Sequence, residues 1–358
     1  MTRHHLPTRA AIAACSTLLC PVTSAFATDA HHEDAVSVIA FGSCARQNEP
    51  QPIWDVVVEQ DPELFLFIGD NVYADLHRII PTEPGQIQRA WDDLDAIPGW
   101  QRLSGSCRVL ATWDDHDYGK NDAGKEWELK EASQGLFLDF FGVPEDSPRR
   151  EREGVYSAET FGPEGRRVQV ILLDTRYHRD ELDRADPRQP GRGPYRPSTG
   201  GRGTFLGEAQ WAWFEEQLRE PADVRIIGSS IQVVPYESMW EVWNNFPHER
   251  QRLFDAIDEA DASGVVFISG DRHLTEISVE EDSGPYPMWD FTSSGMNESE
   301  REVNEPNRYR VGPVKRMTTF GMIRIAWDAP RPYIDLEALG DDGEVLFAQR
   351  VRLSDLAE

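Results

Sequence analysis

Residues with metal-binding or proton-transferring side chains repeatedly follow closely on short apolar runs. Val36 to Phe41 ends in Gly42-Ser43-Cys44, and Leu64 to Ile68 ends in Gly69-Asp70-Asn71-Val72-Tyr73. Arg108 to Trp113 ends in Asp114-Asp115-His116-Asp117, and Val265 to Ser269 ends in Gly270-Asp271-Arg272-His273. A fifth run, Val168 to Leu173, ends in Asp174-Thr175-Arg176. Thiolate, phenolate, imidazole and carboxylate are metal ligands, and imidazole is the usual proton donor near neutral pH. A single Asp after a strand often only caps a turn. Recurrence of the pattern points instead to a metallo-enzyme.

The elements that must position these groups follow from the same runs. Continuous β-branched and Leu stretches read as strands buried on both faces, as in a sheet covered by helices. The carboxyl ends of such strands open onto a ligand crevice. Helical spacing predicts helices over Trp54 to Gln60, around Ile87 to Leu94, over Lys125 to Phe141, and over His248 to Ile257. Another carries Trp211, Phe214 and Leu218 on one face. A hairpin is expected at Gly162-Pro163-Glu164-Gly165, and antiparallel strands from Met322 to Leu353, turned at Asp341-Asp342-Gly343. Asp180 to Gly203 reads as a long loop; its Arg184, Arg188, Arg192, Arg196 and Arg202 are expected to border the site and attract phosphate.

Residues 1–27 read as a secretory signal, with Arg3 and Arg9, an apolar Ala10 to Cys20 and an Ala25-Phe26-Ala27 cleavage site. Export to the periplasm or exterior follows, with no transmembrane segment. Residues 28–35 read as a linker and 36–358 as one catalytic domain. Cys44 and Cys107 would remain, as one disulfide or as free thiols. The formal charge of −27 disfavours stable nucleic-acid binding, while 39% apolar residues support a folded core.

The order Cys44, Asp70-x-x-Tyr73, Asp115-His116-Asp117, Asp271-x-His273 resembles the calcineurin-like metallophosphoesterases. Within them the chain is similar to the PhoD-like alkaline phosphatases. Gly69-Asp-Asn-Val-Tyr-Ala-Asp75, Trp113-Asp-Asp-His-Asp-Tyr-Gly119, Leu173-Asp-Thr-Arg176 and Ser269-Gly-Asp-Arg-His273 carry the resemblance. It implies a four-layer α/β/β/α sandwich of mixed sheets, with two metal positions at the strand ends. Asp70 would bridge them. Cys44, Tyr73 and His273 would complete a site for Fe³⁺, and Asp115 and Asp271 a hard-oxygen site for Ca²⁺, with Mg²⁺, Mn²⁺ or Zn²⁺ as competitors. Cys44 replaces the usual His, and Gly42 the Asp before it. Asn71, Asp114, Asp117, Asn121 and Gln232 are further ligand candidates.

Such a centre hydrolyses phosphate mono- or diesters through a metal-activated hydroxide. His116 would protonate the leaving alkoxide, oriented by Asp117 or another carboxylate, with Arg176 neutralising phosphoryl charge. The expected partner is a small phosphate ester. Alternatives are a phospholipase D-like or nucleotide phosphodiesterase, and a non-catalytic secreted Ca²⁺-binding domain. Many PhoD-like proteins carry an N-terminal β-domain, which is not expected ahead of Val36.

Overall fold

The computed structural model describes residue 1 and residues 30–188, 192–299 and 306–357. The proposed signal lies outside these. In chain order the strands and helices are β1 (Ala30–His32), β2 (Val38–Gly42), α1 (Ile53–Glu59), β3 (Leu64–Ile68), α2 (Pro84–Asp95), α3 (Pro98–Ser106), β4 (Arg108–Thr112), α4 (Asp115–Tyr118), α5 (Lys130–Phe140), β5 (Ser157–Phe161) and β6 (Val168–Leu172). There follow α6 (Gly207–Leu218), β7 (Val224–Ser229), α7 (Pro247–Glu259), β8 (Val265–Ser269), β9 (Thr275–Glu280), β10 (Met288–Ser293), β11 (Arg310–Lys315), β12 (Thr319–Ala326), β13 (Tyr333–Gly340) and β14 (Val345–Arg352).

Two mixed sheets result, ordered β1-β5-β6-β7-β8-β10-β9-β11 and β14-β13-β12-β2-β3-β4. In the second, β2, β3 and β4 run parallel, so Gly42, Ile68 and Thr112 end at the same edge. In the first, β6, β7 and β8 do likewise. The period of two explains the layers. Leu64, Leu66 and Ile68 face the core shared with Val170, Ile226 and Val266 of the other sheet. Phe65 and Phe67 face outward, where Trp54 of α1 and Trp100 of α3 meet them edge-on or tilted. Trp211 of α6 and Leu253 of α7 cover the far side. Each such burial is worth roughly 1.5–3 kcal/mol. The architecture is the expected α/β/β/α sandwich.

Two local expectations change, and one left open is resolved. Helix α5 begins at Lys130, because Lys125 N–H donates to Arg179 C=O and Trp127 N–H to Gly124 C=O, which makes 124–127 a turn. Within the segment read as a linker, Ala30–His32 pairs parallel with β5, and His32 stacks on Phe161 and meets Glu159 at 3.0 Å. Cys44 and Cys107 are both free thiols, the first buried at a strand end and the second capping α3. No disulfide joins them.

Among the described residues no helix is long and apolar enough to cross a membrane.

Candidate functional site

Strands β2, β3, β4 and β8 each stop two residues before a candidate ligand, and at three of the four the backbone there takes an uncommon shape. Cys44, Asp70 and Asp271 have φ of 61°, 49° and 64°, and His273 has 53°. Left-handed geometry at non-glycine residues is uncommon and collects at functional sites. Gly69 (φ 108°) permits the turn: a Cβ there would stand 2.7 Å from Asp114 Cβ. A Cβ at Gly42 would come within 2.7 Å of Met296 Sδ, so a larger residue there would have to push the Met296 side chain aside.

The turns bring together the expected first cluster. Asp70 Oδ2 is 3.4 Å from Cys44 Sγ and accepts from Tyr73 Oη at 3.1 Å. Tyr73 Oη is 3.4 Å from His273 Nε2, and ligand atoms of Cys44, Asp70 and His273 all fall within 4.8 Å of one another. Ser294 Oγ steadies both ends, 3.1 Å from Cys44 Sγ and accepting from His273 N–H at 2.8 Å.

A second cluster adjoins it. Asp70, Asp115 and His116 have ligand atoms within 4.8 Å of one another, as have Asp114, Asp115 and Asp271. Asp115 Oδ1 and Asp114 Oδ2 are buried and lack any hydrogen-bond partner. Unsatisfied buried carboxylate oxygens are costly and point to a missing cation. Of the additional ligand candidates, Asp114 joins this cluster. Asn71 bonds Gly69 N–H and Thr112 C=O, and Gln232 bonds Glu276 and Thr292, so both hold the scaffold. Asn121 lines the cavity described below, with its N–H donating to Asp75.

Two expected roles move to other residues. Asp117 is buried and accepts from Asp114 N–H at 2.6 Å and Asn71 N–H at 3.1 Å, so it ties two turns together and does not meet His116. The carboxylate at His116 is Asp75, with Oδ1 2.5 Å from Nδ1 and Oδ2 accepting Asn121 N–H at 2.9 Å. Asp75 closes the Gly69–Asp75 motif, but its spacing gave no sign of the pairing. Arg176 is 0% exposed and pairs with Asp114 at 2.6 Å and Glu241 at 2.8 Å. The arginines that do line the cavity of about 470 Å³ over the clusters are Arg46, Arg78 and Arg272. Arg46 lies over the Tyr73 ring at 4.6 Å, and Arg272 over Trp240 at 5.0 Å.

The electrostatics agree with a cation. Burial, then the Asp70 charge, pushes the Cys44 thiol and Tyr73 phenol well up. Burial likewise raises Asp70, although His116 pulls it back, and raises Asp271 beside Asp114. Asp115 is the exception: burial is outweighed by His116 and Arg176, which hold it at about 2. Burial and then Arg272 press His273 down to about 3, so it is a neutral imidazole with a free lone pair. His116 goes the other way, raised against burial by Asp115, Asp70 and Asp75. A positive ion relieves the crowded anions and suits the neutral imidazole. The donors therefore fit the implied metals.

Comparison with known proteins places this geometry. The model of the PhoD-like phosphatases matches residues 39–320. Alkaline phosphatase D of Bacillus subtilis (strain 168) is 26% identical over 189 residues, covering 46% of this chain and 31% of the relative. The chain thus spans about a third of that relative's length. A PhoD structure superposes with a TM-score of 0.67 at 17% identity, over 89% of this chain and 69% of that one. The purple acid phosphatase PPD1 of yellow lupin (Lupinus luteus) gives 0.61 at 13% identity, over 89% and 54%. The chain belongs to the PhoD-like phosphatase family.

Proposed function

We propose that this chain is an exported, metal-dependent phosphohydrolase that cleaves small phosphate mono- or diesters. One observation carries the reading. Asp70 stands between a thiol–phenol–imidazole cluster and a carboxylate cluster, within ligand distance of both. The first set suits a trivalent ion such as Fe³⁺, and the carboxylates Asp114, Asp115 and Asp271 of the second suit Ca²⁺ ahead of softer ions. Bound there, such cations would polarise the phosphoryl group and acidify the attacking water.

The chain's own residues do the rest. Asp70 fixes the spacing of the two positions. Asp75 holds Nδ1–H of His116, which leaves Nε2 to protonate the leaving oxygen. Arg46, Arg78 and Arg272 line a cavity otherwise rich in carboxylates, so bound cations together with these arginines would draw in a compact phosphate anion. The signal over residues 1–27 supports export.

Elemental analysis of the native protein, beside hydrolysis of 4-nitrophenyl phosphate and bis(4-nitrophenyl) phosphate, tests the reading. Metal-replete protein should turn over at least one ester, and Asp70→Asn neither. A protein that holds its metals and cleaves neither ester would overturn it.

A further inference from the structure

Beside the metal cavity lies a second one of about 630 Å³, and the two share Asn121 and Asp122 as a common wall. Its floor is the buried Arg179, 3% exposed, whose Nη1 and Nη2 donate to the backbone carbonyls of Asp180 and Asp122. Nε of Arg179 has no partner. Tyr195 closes the side, its hydroxyl donating to Asp122 Oδ2 at 2.5 Å. Arg184 lies over the Tyr195 ring at 5.4 Å, and Lys120 lines the opposite wall. Among the described residues, neither Arg184 nor Lys120 has a carboxylate partner, although the chain carries 63 acids against 36 bases. Glu126 and Glu181 share the lining, and the two unpaired cations offer an anion its contacts on the Lys120 and Arg184 walls.

The position relative to the metal clusters gives that anion a role. Asp122 on the shared wall has a carboxylate oxygen within 4.8 Å of one on Asp115. The alcohol side of an ester seated over the clusters can therefore extend across that wall into the second cavity. Of the five loop arginines, Arg184 lines it; Arg188 instead lies over Trp240 at 5.8 Å, and Arg196 faces Asp183 at 4.0 Å.

We infer that the second cavity is a leaving-group subsite for an anion, so that the preferred substrates are esters whose alcohol carries a second phosphate or a carboxylate. This rests on the phosphohydrolase reading and names its substrate class. Lys120 and Arg184 are specificity residues here, not catalytic ones.

The test uses the metal-replete full chain and two probe series. One compares α,ω-alkanediol bisphosphates of two to six carbons with the matching alkyl monophosphates, read as phosphate release. The other measures calorimetric binding of the non-hydrolysable α,ω-diphosphonates and alkylphosphonates. At least one bisphosphate should exceed its monophosphate in kcat/KM by about tenfold, and its diphosphonate should bind correspondingly tighter. Both preferences should vanish in Lys120→Ala/Arg184→Ala, with monophosphate turnover unchanged. Equal treatment of the two series by the wild-type chain, or a preference that survives the double substitution, overturns the inference and leaves the phosphohydrolase reading standing. Absence of all hydrolysis sinks that reading, and the phosphonate binding still decides whether the subsite exists.

Discussion

Asp75 Oδ1 lies 2.5 Å from His116 Nδ1, and the same imidazole stacks on the Tyr73 ring at a centroid distance of 4.3 Å. A ring clamped on one edge and one face has a fixed tautomer and a fixed aim. The pair thus links the phenol of the first cluster to the imidazole proposed to protonate the leaving group.

His116→Ala should lower kcat for alkyl phosphates by about 10²–10⁴-fold. For 4-nitrophenyl phosphate the loss should be much smaller, because nitrophenolate departs without a proton. Asp75→Asn should lower kcat in the same leaving-group-dependent way. Since Asp75 helps hold the His116 pKa up, its removal should also move the alkaline limb of the pH profile to lower pH. Steady-state kinetics with both ester types checks each part.

Metal content should follow the two clusters separately. Tyr73→Phe and Cys44→Ser each remove a donor from the thiol–phenol–imidazole set and should deplete the trivalent ion first. Asp271→Asn should deplete the oxygen-bound ion first. Asp70→Asn should reduce both. Elemental analysis of the four variants, purified identically, distinguishes these patterns.

The metal-free protein should lose stability as pH rises from about 6.5 to 8. Burial lifts Asp114 and Asp122 from 3.8 to about 7, so the folded chain binds more protons than the unfolded one between those values. Stability then falls with rising pH across that window. His273, pressed from 6.5 to about 3, gives the opposite slope, but only below 6.5. His116, raised above 6.5, adds stability that is likewise lost as pH climbs through its folded value. Urea midpoints at pH 6.5 and 8 should show the decline after chelation, and bound metal should flatten it.

Arg176→Ala should act on the fold. It strands Asp114 and Glu241 without their buried partner. Losing one half of such a pair costs about 3–5 kcal/mol. Denaturant melting should register that loss, whereas Arg78→Ala, at an exposed cavity residue, should change KM with an unaltered midpoint.

The centre of the molecule was readable because its strands are uninterrupted apolar runs and its ligands follow at fixed offsets. Strand β9 is hard to read for a physical reason. Thr275–Glu280 alternates Ile277 and Val279 with Glu276, Ser278 and Glu280, which suggests a solvated face, whereas both glutamates are buried against Arg310 and Arg250. Helix α4 is four residues of acid, imidazole and phenol, too short to show periodicity. Arg176 and Asp117 were misjudged for a shared reason: a motif fixes order along the chain, and a side chain beside a ligand can face inward as easily as toward substrate. Asp75 lies five residues beyond Asp70, and the bonds from Ala74 N–H to His116 C=O and from Asn121 N–H to Asp75 bring it to the imidazole.

The left-handed turns at Cys44, Asp70, Asp271 and His273 limit which amino acids those positions can sample. Asp, Asn and His tolerate that conformation far better than branched or bulky residues do. Drift toward a different ion is therefore channelled into a small alphabet of short polar side chains, whatever the chemistry of the incoming cation would otherwise favour.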